Sequence, residues 1–146
     1  MITQKLINVS AYAAVGCAIE VHKHLGPGLL ESVFHASLID ELDRQRIKSK
    51  SQIHLPVLYM GKDLGGQLKL GLLIENLIIV EIKKAVDLMK PLYSTQLLSY
   101  LRLADKPKGL LINFQSENIV NQLIPLVTES FSKLPKFYRL SVSKCS

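Results

Sequence analysis

The chain has 146 residues, with 18 Lys and Arg against 12 Asp and Glu, a net charge of +6 and a pI near 9.4. At this length roughly 68–70% of the unfolded surface can be buried, so one domain needs no disulfide or metal staple. Hydrophobic residues make up 48% and mean hydropathy is +0.22, which demands a large core. No apolar run reaches the length of a membrane span, and MITQKLINVS lacks the apolar centre of a signal peptide. Cys17 and Cys145 offer neither a disulfide framework nor metal-ligand spacing, so the expected setting is cytoplasmic, reducing and away from membranes. The basic balance favours polyanionic partners without naming one.

In chain order, Ile7 to Leu25 is predicted as an amphipathic helix capped by Ser10 and ended by Gly26-Pro27-Gly28. A second helix runs from Leu29 to about Arg46 on Leu30, Val33, Phe34, Leu38 and Leu42, with Glu31 in its first turn, where an acidic residue complements the dipole. The glycines between them are no dinucleotide loop, because that fingerprint follows a strand and here a helix precedes. Ile53 to Tyr59 alternates as a strand in which Pro56 is tolerable only at an edge or bulge, and Met60-Gly61-Lys62-Asp63 supplies a turn.

Leu68 to Lys83, LKLGLLIENLIIVEIK, reads as a hairpin about Glu75 and Asn76. Alternation puts Leu68, Leu70, Leu72 and Ile74 on one aliphatic face with Ile78, Val80 and Ile82. Lys69, Gly71, Leu73, Ile79, Glu81 and Lys83 fall on the other. A two-residue turn would mix these faces. The connection is therefore expected to be Glu75-Asn76-Leu77 with Asn76 left-handed, which sets Gly71 opposite Glu81 and Lys69 opposite Lys83.

Pro91 opens a third helix through Ala104, with Leu92, Gln96, Leu97, Tyr100 and Leu101 in register, and Gly109 to Phe114, GLLINF, is a buried-type strand. Ile119 to Val127 is a weaker apolar segment. The expected architecture is α/β, a mixed central sheet flanked by helices, with a single domain over 1–130. A peripheral basic tail over 131–146 carries Lys133, Lys136, Arg139 and Lys144.

The hairpin's second face carries one carboxylate and one ammonium two residues apart, with a glycine gap across from the carboxylate. Taken alone, Glu81 and Lys83 fit a solvated surface pair, Lys83-Lys84 a solvated basic pair, Glu31 a dipole-complementing residue, and Gln96 and Tyr100 ordinary helix positions. His22, His24, His35 and His54 form no metal set: His22 and His24 point to different faces, and Glu20 with His24 reads as a helical i,i+4 pair.

Three further features join this pair in order along the chain. Gly28-Leu29-Leu30-Glu31-Ser32-Val33-Phe34 resembles the signature of the GxxExxY proteins, with Phe34 in the tyrosine's place. Gln96-Leu97-Leu98-Ser99-Tyr100 is a QxxxY pattern, and GLLINF is similar to that family's last core strand. The resemblance, from about Ala13 to Phe114, implies the PD-(D/E)XK restriction-endonuclease-like core. In that core, carboxylates hold a divalent cation such as Mg²⁺ at a phosphodiester and a lysine assists the nucleophile. Carried over, Glu31 is the helix carboxylate and a metal ligand, Glu81 a metal ligand and Lys83 the catalytic lysine, with Gln96 and Tyr100 lining the site.

Gly71 departs from the resemblance, standing where the family carries its strand aspartate. Glu75 lies roughly 13 Å along the strand, and Asp63 and Asp87 fall in loops. Tyr93, where relatives often have histidine, is a further departure. Three functions are compatible with this pattern: a DNA-cleaving nuclease, a nuclease-fold protein with catalysis weakened or lost that binds nucleic acid or a protein, and an assembly module. A homo-oligomeric or protein interface would suit the high apolar content.

Overall fold

The structure is a computed structural model that describes residues 1–28, 30–83 and 91–137, the side chains at 64, 66 and 67 aside. Leu29, Lys84, Asp87, Arg139, Lys144 and Cys145 therefore lie outside the described residues. Helix α1 spans Gln4–Leu25 and α2 Glu31–Arg44; strands β1 (Ser49–Tyr59), β2 (Lys62–Ile74) and β3 (Ile78–Lys83) follow; then come α3 (Pro91–Ala104) and β4 (Lys108–Asn113). A 3₁₀ turn (Ile119–Gln122), β5 (Leu123–Val127) and α4 (Glu129–Ser132) complete the order.

Among the described residues the strands form one sheet in the order β1-β2-β3-β4-β5. Strands β3 and β4 are parallel and the other neighbours antiparallel, so the sheet is mixed as expected. Its two faces are covered separately. Ile7, Ala11, Ala14, Ala18 and Val21 of α1 and Phe34, Leu38 and Leu42 of α2 pack on Leu72, Ile74, Ile78, Val80, Ile82, Leu110 and Ile112. Leu97 and Leu101 of α3 pack on Leu70, Leu73, Ile79 and Leu111 opposite. Gly109 permits the second contact, because a β-carbon there would stand 2.9 Å from Leu97 and 3.1 Å from Leu101.

The hairpin adopts the register that alternation requires, with Ile74 opposite Ile78, Leu73 opposite Ile79 and Leu72 opposite Val80. Leu77 N–H closes the turn onto Ile74 C=O at 2.9 Å, and Asn76 is left-handed at φ 58°. Glu75 is left-handed too, at φ 52°. It is held by Lys48, the residue just before β1: its N–H donates to Lys48 C=O, and its Oε1 accepts the Lys48 N–H, both at 2.9 Å. Pro56 lies in the edge strand at a register shift between Pro56 and Leu58, which spares the ladder a missing donor.

Several boundaries differ from the sequence expectations: β1 begins at Ser49 rather than Ile53, and β2 begins at Lys62, inside the expected turn, rather than at Leu68. Helix α1 begins at Gln4 rather than Ile7, because Thr3, not Ser10, caps it by accepting the Leu6 N–H at 3.1 Å. The apolar segment 119–127 contributes a fifth strand through pairing with β4. Part of the stretch expected to be peripheral is tied down: Phe131 and Leu134 pack on the core, and the Gln4 and Lys5 N–H groups donate to Pro135 and Lys136 C=O, each at 2.8 Å.

Candidate active site at the splayed hairpin

Glu81 and Lys83 share a side of β3 by alternation. The β2–β3 ladder ends at Leu72 and Val80. One position further on, a side chain replaces the ladder: Gly71 N–H donates to Glu81 Oε1 at 3.1 Å. The other flank of Gly71 is irregular as well. Strand β1 pairs Ser51 with Leu72 and Ile53 with Leu70, and Gln52 between them is left-handed at φ 53°. Such backbone in a non-glycine residue costs about 1–3 kcal/mol and marks a kink in β1 opposite Gly71.

Strict alternation fails at this kink. Leu70 joins Leu73 and Ile79 under α3, whereas Leu72 faces α1 and α2, so the expected common face for Leu70 and Leu72 is corrected. A period of two assumes an unbroken pleat, and the Gln52–Gly71 region breaks it.

The space beside Gly71 belongs to Glu81. A β-carbon at position 71 would meet Val80 O at 3.0 Å and Glu81 Oε2 at 3.3 Å. Glu81 is only 9% exposed. Burial pushes its carboxyl above the usual carboxylate range, the Gly71 N–H and Lys83 pull it back, and Glu31 pushes it further up. Glu81 thus feels the charge of Lys83, two residues on along β3, and of Glu31, fifty residues away in sequence. Glu31 is there because it is the first residue of α2, whose Phe34, one turn on, stacks on Phe114 at 5.3 Å between ring centroids.

Gln96 and Tyr100 lie one turn apart on α3, and Gln96 Nε2 donates to Tyr100 Oη at 2.9 Å. Their bond is to each other rather than to the Glu81 carboxylate. Tyr93 and Tyr100 pack against the α3-side core. Neither described substitute carboxylate reaches Gly71. Asp63 accepts the Gly65 N–H at 2.8 Å near the far end of the β1–β2 hairpin, and Glu75 is engaged by Lys48 at the turn.

Sequence inspection missed Asn113. It pairs with Lys83 in the parallel register and is 2% exposed. Its Oδ1 accepts the Gln115 N–H at 3.1 Å, and its Nδ2 donates to Gln122 at 3.5 Å. The available signal was a polar residue closing the buried run GLLIN. His22 is buried and His24 exposed, the latter paired with Glu20 at 3.0 Å, as their opposite faces require.

Among the described residues no group of three or more His, Cys, Asp or Glu could hold a metal ion. Glu31 and Glu81 bring two carboxylates within electrostatic reach of each other. No helix of the described residues is long and apolar enough to cross a membrane.

A mixed sheet covered by helices on both faces, with a Glu and a Lys on one side of a central strand, is the architecture of a nuclease-like α/β fold. The chain belongs to the PD-(D/E)XK nuclease superfamily, which it matches over residues 8–124. The fold is similar to the crystal structure of SSO0001, at 19% identity and a TM-score of 0.50, covering 66% of this chain and 49% of that one. The chain thus spans about half the length of that protein. No curated protein matches it.

The buried carboxylate has a measurable effect. Because the folded pKa of Glu81 lies above its unfolded value, folding favours the protonated form, and this contribution is lost as pH rises through the shifted pKa. Glu81→Gln keeps an acceptor for Gly71 and carries no charge. It is expected to raise stability at neutral pH by about 0.5–2 kcal/mol, typical of relaxing a strained site. Urea melts at neutral pH and at a pH below the carboxylate range check this: the gain should vanish in acid.

Proposed function

We propose that this chain is a nuclease-like protein that acts on or binds DNA, with hydrolysis weakened or lost at Gly71. The Gly71–Glu81 pair carries this proposal. Likeness to the GxxExxY proteins puts a strand aspartate at position 71, and here the Glu81 carboxylate accepts the Gly71 N–H and fills that space. Glu31 and Glu81 would hold Mg²⁺ together with water. When bound, such an ion polarises a phosphate and acidifies its water. Lys83 would offset phosphate charge or take part in deprotonating the attacking water, with Gln96 and Tyr100 as lining residues. Exposed Lys50, Lys62 and Lys69 on the β1–β2 hairpin, with Lys48 just before it, offer cationic side chains to the DNA backbone.

The test is cleavage of plasmid and linear DNA with Mg²⁺ or Mn²⁺, alongside a salt-dependent DNA-binding isotherm. Weak cutting that disappears in Lys83→Ala identifies an impaired but working site. Binding that falls with salt, without cutting, identifies a silent member of the fold. Neither cutting nor binding would remove the DNA assignment and leave a protein-interaction module.

A further inference from the structure

Helix α1 is apolar on two opposite sides. At 100° per residue, Ile7, Ala11, Ala14 and Ala18 line the side buried on the sheet, and Leu6, Val9, Ala13 and Gly16 line the side turned away from it. That outer stripe is exposed: Leu6 at 44%, Val9 at 57% and the flanking Tyr12 at 83%. Among the described residues none packs closely on Gly16. A β-carbon there would meet nothing within 4 Å, and glycine is a poor residue for a helix interior. Such a glycine suits the close approach of another backbone from outside.

The two ends of the stripe carry opposite charge. Towards the C-terminal end of α1 a groove of about 1140 Å³ between α1 and α2 is lined by Glu20, Asp40 and Glu41 with His24 and Arg44; even with Glu20 paired to His24 at 3.0 Å and Asp40 to Arg44 at 2.9 Å, this leaves an acidic surplus on a basic protein. Towards the N-terminal end a second groove of about 530 Å³ is lined by Lys5, Lys136, Val9, Tyr12 and Phe137. A surface acidic at one end and basic at the other complements itself under a two-fold rotation, the symmetry of most homodimers.

We propose that a second copy of this chain docks here, α1 against α1 and antiparallel. The register that sets Val9 of one copy against Gly16 of the other also sets Lys5 against Glu20. Lys5 and Tyr12 of each copy thereby approach the acidic groove of the other. A helix about 33 Å long, with the adjoining edge of α2, has the reach for the roughly 800 Å² per partner that specific interfaces bury. The proposal is independent of nuclease activity.

Sedimentation of the full chain over about 1–200 μM reads the dissociation constant directly. The wild type is expected to dimerise. Gly16→Leu, which the single chain accommodates because the space is open, is expected to sediment as a monomer with an unreduced melting temperature. Lys5→Glu and Glu20→Lys are each expected to weaken the dimer about tenfold, and the two together in one chain to recover most of that loss. A wild type that stays monomeric at the highest concentration overturns the proposal, whether the chain's own residues beyond Phe137 or another protein covers the stripe. So does a Gly16→Leu variant that dimerises as tightly as wild type, or a double swap no tighter than the single ones.

Discussion

Gly71→Asp is expected to be less stable than the native protein by about 1–3 kcal/mol when divalent cations are chelated, and to recover that loss when Mg²⁺ is added. The new β-carbon would lie 3.0 Å from Val80 O, a backbone atom that cannot swing away, and 3.3 Å from Glu81 Oε2. Glu81 must therefore leave, which places its already unfavourable carboxylate beside a second one, with Glu31 also contributing repulsion. A cation held by these carboxylates relieves both terms. At a concentration one hundred times its Kd, a ligand that binds only the folded state adds about 2.7 kcal/mol. Urea denaturation in chelator and in Mg²⁺, with native protein and Gly71→Asp side by side, measures both effects. Equal stability of the two proteins in chelator, or a Mg²⁺ shift no larger than in native protein, would show that position 71 does not face the proposed metal site. Gain of DNA cleavage by Gly71→Asp would show that one missing ligand silences an otherwise complete site.

The second large effect lies behind the site. Phe114 is fully buried and stacks on Phe34 with an interplanar angle of 22°. It follows Asn113, the neighbour of Lys83, while Phe34 sits one turn beyond Glu31 on α2. The ring pair therefore connects the strand bearing Asn113 to the helix bearing Glu31. Phe114→Ala is expected to cost about 3–5 kcal/mol through lost burial, an unfilled cavity and the lost ring contact. Phe114→Leu, which keeps most of the volume, should cost far less. Denaturant midpoints for the two variants separate volume from aromaticity: an alanine variant within about 1 kcal/mol of native would mean that the core collapses freely there. Because Glu31 is carried on the same packing, Phe114→Ala is also expected to weaken any Mg²⁺ binding in native buffer.

Local pattern was enough for much of the fold. The parity of Leu72, Ile74, Ile78 and Val80 dictated an odd connection and a left-handed Asn76, because slipping the register by one residue would turn every aliphatic side chain to the wrong face. Pro91 and helical periodicity bounded α3 at Pro91–Ala104. Pro56 required an edge or a bulge, and the i,i+4 geometry of α1 announced the Glu20–His24 pair. Each of these follows from backbone sterics or from spacing within one element, which neighbouring residues encode.

Only the tertiary structure decided what depends on separate elements meeting. Strand β5 exists because β4 offers it a ladder, and α1 extends back to Gln4 because Thr3 caps it and residues 135–136 accept its first N–H groups. Alternation could not foresee its own failure at Gly71, where left-handed Gln52 on the adjoining strand sends Leu70 to the opposite face from Leu72. The sequence put Glu81 opposite a glycine, and folding turned that gap into a hydrogen bond. It also brought Glu31 within electrostatic reach from a different helix, because a carboxylate's charge and desolvation depend on everything packed around it.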